Sequence, residues 1–131
     1  LDLGLENRLK SKVGLLSGGQ RQALTLLMAT MITPKLLLLD EHTAALDPAT
    51  ADKVLTLTEK IVAAGQITTM MITHNIASAL TLGNRTVMMN NGQIILDISG
   101  EERTKMTVPQ LLELFKEKSQ VTLDDDRILL A

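Results

Sequence analysis

Leu36-Leu37-Leu38-Leu39-Asp40-Glu41-His42-Thr43-Ala44-Ala45-Leu46-Asp47-Pro48 is the stretch on which the reading of this chain turns. Four leucines in succession show no alternation, which predicts a short strand buried on both faces of a parallel sheet. Asp40 and Glu41 follow at once. In open α/β sheets ligands sit at the carboxyl ends of the strands, so acids placed there face a site and not the core. Such a pair is costly unless a cation or hydrogen-bond donors offset its charge. Two solvated acids opening a loop would look the same, and the stretch alone fits both readings equally.

Downstream, Asp47 and Pro48 have the form of an N-cap and a first helical residue. Ala51, Val54, Leu55, Ile61 and Val62 mark the buried stripe of that helix, and Gly65 is placed to end it. Ile67–Thr73 is rich in β-branched residues and predicts a second strand. Strand, helix and strand in that order imply a right-handed crossover, with the two strands as parallel neighbours. His74 then falls on the same rim as Asp40 and Glu41. A lone histidine after a strand is usually structural, but this one shares its rim with two acids.

Upstream, Ser17 and Gln20 form a capping-box pair, so a helix starts here. It is expected to run to about Ile32, with Pro34 stopping its continuation. Ala23, Leu24, Leu26, Leu27, Met28, Met31 and Ile32 cover more than half its circumference, which predicts a largely buried helix. Gly18 and Gly19 are poor helix formers. In a first turn they let a ligand approach the free N–H groups at the positive end of the helix dipole. A plain cap accounts for the same four residues.

The flanks are less informative. Residues 4–12 fit a short helix with Leu5 and Leu9 on one face and Arg8, Lys10 and Lys12 solvated. Asn75 caps a short helix ending at Gly83, and residues 85–90 and 93–98 flank Asn91-Gly92, a strong hairpin signal. Thr107 and Gln110 form a second capping box, ahead of Val108, Leu111, Leu112 and Phe115 at helical spacing. The tail from Gln120, with its acid run Asp124–Asp126, is left unassigned.

With 131 residues the chain is about one domain, and its core is aliphatic because Phe115 is its one aromatic residue. A net charge of −2 speaks against a nucleic-acid or anionic-membrane surface. The absence of cysteine rules out disulfides and thiolate metal sites, and fits the cytosol. No apolar run approaches the ~18–20 residues of a membrane span.

Taken together and in order, Leu16–Gln20, Leu36–Glu41, Ala45-Leu46-Asp47 and Thr73-His74 resemble the C-terminal half of an ABC-type ATPase domain. The resemblance covers nearly the whole chain. It implies an α/β fold, part of the parallel sheet of a P-loop NTPase (RecA-like) with flanking helices and a C-terminal β-hairpin. Residues 1–33 would belong to the helical subdomain with the signature motif, and residues 34–131 to the catalytic core and its C-terminal helix. By the same resemblance Ser17, Gly18, Gly19 and Gln20 match the signature motif, which binds the γ-phosphate of ATP held by the opposite subunit of a dimer. Asp40 matches the Walker B aspartate that holds Mg²⁺, usually through water, and Glu41 the general base that orients the attacking water. Asp47 matches the loop aspartate at the dimer interface, and His74 the switch histidine on the γ-phosphate. His42 stands where the family often has proline, a change expected to leave the chemistry untouched.

One departure is serious. No Gly-x-x-x-x-Gly-Lys-[Ser/Thr] occurs, so the phosphate-cradling loop is missing. The chain is therefore expected to be a fragment, inactive alone. The implied parent is the ATPase subunit of a bacterial membrane transporter, more like importer subunits than exporter fusions, with no room in the hairpin and C-terminal helix for the added regulatory domain some sugar importers carry. It would be cytoplasmic, peripheral on the inner face of the membrane through its permease. Its partners would be a second ATPase subunit, transmembrane permease subunits and a substrate-binding protein, with no nucleic acid. The alternatives are a non-transport ABC ATPase of DNA repair, chromosome maintenance or translation, and a catalytically inert interaction fragment. No heptad arm of the chromosome type appears in Leu1–Leu16.

Overall fold

A computed structural model describes residues 3–130, with side chains through residue 120. Two compact units divide the chain, Leu1–His74 and Asn75–Ala131. The first unit is built on α1 (Gly18–Thr30), β1 (Leu36–Asp40), α2 (Pro48–Gly65) and β2 (Thr68–Ile72). β1 and β2 pair in parallel with Leu36 opposite Thr68 and Asp40 opposite Ile72. The α/β class and the parallel pair are as expected from the sequence.

Ala23 and Leu26 of α1, Leu37 and Leu39 of β1, Leu57 of α2 and Ile67 form the core of this unit. Leu3, Leu5, Ile61, Val62 and Met71 pack around it. The two-sided burial predicted for the leucine run does not occur. Leu37 and Leu39 are buried, whereas Leu36 and Leu38 are 52% and 64% exposed. The helices of this unit cover one face of the pair, and Leu36, Leu38, Met70 and Ile72 line the other. For the same reason α1 is less buried than its composition predicts. Met28, Met31 and Ile32 lie outside the packed stripe and are exposed.

Both predicted caps are in place. Ser17 Oγ accepts from Gln20 N–H at 3.2 Å, and Gln20 Oε1 accepts from Ser17 N–H at 3.0 Å. Asp47 caps α2 with Pro48 in its first turn. The far end of α2 corrects the sequence reading: Gly65 remains helical and Gln66 takes the left-handed position, with φ of 48°. A Cβ on Gly65 would meet Ile67 Cγ1 at 2.9 Å, so the glycine is needed for close passage of the chain. The helix predicted for residues 4–12 is also absent, replaced by 3₁₀ turns at Leu5–Asn7 and Val13–Leu15. So short a helix needs a packed apolar face, and Leu9 is 88% exposed.

The second unit comprises α3 (Ile76–Thr81), β3 (Arg85–Asn90), β4 (Gln93–Ser99), α4 (Gly100–Lys105) and α5 (Val108–Leu130). β3 and β4 form the predicted antiparallel hairpin, with Asn91 and Gly92 at φ of 50° and 75° in the turn. Leu96, Ile98 and Leu111 make its core. Thr107 and Gln110 cap α5 reciprocally, as predicted. Leu112, expected on the packed face, is 47% exposed, and Leu114 packs in its place. The sequence reading missed α4, whose first turn carries Glu101 and Glu102 and whose last carries Arg103 and Lys105. That charge order suits a helix dipole and was the available signal. Arg103 donates to the carbonyls of Gly83, Leu82 and Ala79 and to Thr86 Oγ1, tying α4 to the end of α3.

Gln66 holds a conformation that glycine adopts without a Cβ penalty. Gln66→Gly should therefore stabilise the fold by about 0.5–1 kcal/mol, seen as a higher urea midpoint at unchanged slope.

Candidate functional site

Every candidate site residue read from the sequence lies in the first unit. Asp40 ends β1, and the ladder continues one step beyond it, because Glu41 N–H donates to Ile72 O at 2.9 Å. Residue 41 therefore lies beside the end of β2, two residues before His74. The two side chains meet: His74 Nε2 lies 2.6 Å from Glu41 Oε1. Here the parallel pairing predicted from sequence has brought an acid and a histidine together. The pair is open to water, with the His74 side chain 88% and that of Glu41 34% exposed. Such a pair adds little to stability, so its geometry is more informative than its energy.

Glu41 has φ of 48°, an unusual value for a residue with a Cβ. From it the chain turns tightly, with Ala44 N–H donating to Glu41 O and Leu46 N–H to Thr43 O. His42, within this turn, is half-buried, and its Nε2 lies 3.0 Å from Thr58 Oγ1 on α2. Burial lowers the pKa of the His42 imidazole below the usual histidine value. Sequence reasoning missed this contact. Its signal was Thr58 itself, a polar residue on the apolar stripe of Val54, Leu57 and Ile61.

The turn delivers the chain to α2, and there two helix N-termini come together. Gly19 is buried on the first turn of α1, and a Cβ on it would stand 2.2 Å from Thr50 Cγ2 on α2. A Cβ on Gly18 would lie 3.2 Å from Leu46 Cδ2. So the glycine at position 19 has a packing reason that the sequence did not disclose. The side chain of Gln20 is engaged twice, accepting from Ser17 N–H and donating through Nε2 to Leu3 O at 2.8 Å. Asp47 Oδ2 accepts from Thr50 N–H at 3.0 Å. Hydrogen bonds from Thr50, side chain first and backbone second, lower the Asp47 pKa below the usual carboxylate value.

Asp40 and Glu41 are the acids available to a cation. Among the described residues no three His, Cys, Asp or Glu side chains converge on a metal position. A small hard cation held by one carboxylate, water and phosphate oxygens needs no such cage. The donor set therefore fits Mg²⁺ bound together with a nucleotide, and does not fit a self-sufficient metal centre.

The chain is similar to known ATP-binding proteins of transporters. Residues 2–44 match the family described as ABC transporter. The tyrosine transport ATP-binding protein of Clostridioides difficile (strain R20291) is 49% identical over 116 residues, 88% of this chain and 46% of that protein. The methionine import ATP-binding protein MetN of Bacillus subtilis (strain 168) is 38% identical over 94% of this chain and 39% of its own length. A solved ATP-binding cassette of an ABC transporter, in its ADP conformation, superposes with a TM-score of 0.70 at 32% identity. That match covers 86% of this chain and 45% of the solved one. The chain thus spans about half the length of the relatives it matches, or less.

Two outcomes follow from the meeting of the helix ends. Gly19→Ala should destabilise the first unit by about 1–3 kcal/mol through overpacking, and adding Thr50→Ala should restore most of the loss. Denaturant titration of the single and double variants checks this. The Asp47 cap has a pH signature. Its folded pKa is lowered, so its stabilisation is present above the unfolded carboxylate pKa and fades as pH falls through the folded value. Asp47→Ala should thus lower the melting temperature at pH 7, and the difference from wild type should vanish in strong acid.

Proposed function

Because the chain belongs to the ABC transporter ATPase family, we propose that it forms the signature and water-activating part of an ATP-hydrolysing subunit of a bacterial importer. The observation that carries this reading is the Glu41–His74 contact at 2.6 Å, at the end of a parallel pair whose last residue is Asp40. In this reading Glu41 is the general base. His74 occupies Oε1 of its carboxylate, and the second oxygen accepts the proton of the attacking water. His74 also contacts the γ-phosphate, coupling its presence to the orientation of the base. Asp40 holds Mg²⁺, which when bound neutralises charge on the phosphate oxygens.

Ser17, Gly18, Gly19 and Gln20 are assigned as the signature motif. The α1 N-terminus that they form turns N–H donors toward the γ-phosphate of ATP bound by the opposite subunit. Asp47 lies at the same dimer interface while capping α2. Residues 1–33 are read as part of the helical subdomain, and residues 34–131 as part of the catalytic core and C-terminal helix. The 131 residues hold no Gly-x-x-x-x-Gly-Lys-[Ser/Thr], so the nucleotide-cradling loop is assigned to sequence outside them.

The import direction is supported by relatives whose names specify import of methionine and of aliphatic sulfonates. The proposed partners are a second ATPase subunit, transmembrane permease subunits and a substrate-binding protein. No helix among the described residues is long and apolar enough to cross a membrane. Attachment to the cytoplasmic face of the membrane is therefore assigned to the permease.

In the whole subunit Glu41→Gln should retain ATP binding and lose turnover by about 10²–10⁴-fold, because an amide cannot take a proton from water. Phosphate release measured beside nucleotide binding checks this, and near-normal turnover would refute the base assignment. The 131-residue segment by itself should neither bind MgATP tightly nor hydrolyse it, lacking the phosphate cradle. Micromolar binding in a calorimetric titration of that segment would contradict this.

A further inference from the structure

His42 follows the proposed base directly, and the fold gives it a job. Its Nε2 lies 3.0 Å from Thr58 Oγ1. Thr58 is 6% exposed and belongs to the buried stripe of α2. A threonine hydroxyl has one hydrogen, and Thr58 donates it to the carbonyl of Val54 at 2.8 Å. The role left to Thr58 Oγ1 is acceptor, so His42 must carry a hydrogen on Nε2 and donate it. The bond therefore runs in one direction, from the turn into the helix.

Glu41 is held between two fixed points. Its N–H is bound to Ile72 O on β2, and the next residue is moored to α2. Between them the Glu41 backbone has φ of 48°. A residue with a Cβ keeps such a conformation when its surroundings over-determine it. We infer that His42 is a positioning residue for Glu41: its Nε2–H···Oγ1 bond to Thr58 fixes the turn so that the Glu41 carboxylate stays against His74. The inference rests on the proposed role of Glu41 as general base.

Side-chain geometry supplies a discriminating test, made in the whole ATPase subunit with Glu41→Gln as control. Glutamine places its amide nitrogen as many bonds from Cβ as histidine places Nε2, whereas asparagine reaches only the Nδ1 position. His42→Gln should keep kcat within about twofold of wild type, while His42→Asn and His42→Leu should lower it about tenfold. KM for ATP should stay within about twofold in all three, because the residues that hold the nucleotide are untouched. Thr58→Val removes the acceptor and should match His42→Asn, and Thr58→Ser keeps the acceptor and should match wild type. Combining Thr58→Val with His42→Asn should lower kcat no further than either change alone. Nitrogen NMR of wild-type His42 should show hydrogen on Nε2, with a hydrogen-bond shift that Thr58→Val abolishes.

Equal kcat in the glutamine, asparagine and leucine variants would overturn the inference. So would losses that track melting temperature and ignore the donor position. Should Thr58→Val fail to fold, the glutamine and asparagine pair decides the matter. Full turnover in Glu41→Gln would instead overturn the base assignment itself. An inactive Glu41→Gln beside a fully active His42→Asn would overturn the role of His42 alone.

Discussion

The parallel register of β1 on β2 is the constraint on which the site depends. Asp40 stands opposite Ile72, and the bond from Glu41 N–H to Ile72 O carries the ladder one residue past the strand. Thr73 and His74 then emerge beside Glu41, and their side chains need no long-range search to meet. A slip of one residue would turn Leu37 and Leu39 outward and Leu36 and Leu38 inward. The core formed with Ala23, Leu26 and Leu57 would be lost with it. The apolar face of the pair thus fixes the Glu41–His74 geometry at its end, because both obey the same register.

A second constraint acts where the helices begin. Ser17 and Asp47 cap α1 and α2, and Gly19 meets Thr50 at a separation that admits no side chain. Close packing at this point fixes how the first turn of α1 sits against the turn leading out of β1. The segment from Glu41 to Leu46 is short and hydrogen-bonded within itself. The first turn of α1 thus packs directly on the segment that follows β1, Gly18 against Leu46.

What could be read from the sequence was whatever has a local cause. Ser17 with Gln20, Asp47 with Pro48, Thr107 with Gln110 and Asn91-Gly92 all act within a few residues, and all are found in place. β1 followed from the unbroken leucine run, β2 from its β-branched content, and their parallel pairing from the helix between them. Non-local features were hidden. Leu36–Leu39 predicts burial on both faces, but which face is covered depends on where α1 and α2 lie. Leu5 and Leu9 look like one helical face, yet Leu9 finds no partner and the helix does not form. The contacts of His42 with Thr58 and of Gly19 with Thr50 join residues 16 and 31 positions apart. Neither pair has a spacing rule to reveal it.

None of the three residues assigned to hydrolysis, Asp40, Glu41 and His74, is buried. Asp40 is exposed, and His74 is 88% exposed in its side chain. A carboxylate and an imidazole in bulk water attract each other weakly, because the high dielectric screens them. Catalysis of phosphoryl transfer rests on positioning and on electrostatics in a space from which water is excluded. This unit supplies the positioning, through the register, the Glu41 turn and the two caps. The exclusion of water must come from whatever closes over the strand ends. The ATPase proposed above, assembled at a dimer interface, would meet that need, with nucleotide and the opposite subunit covering the pair. An exposed, weakly coupled Glu41–His74 pair is then an advantage. At that exposure the contact costs little to rearrange, and in the proposed closed state the lower dielectric would strengthen it.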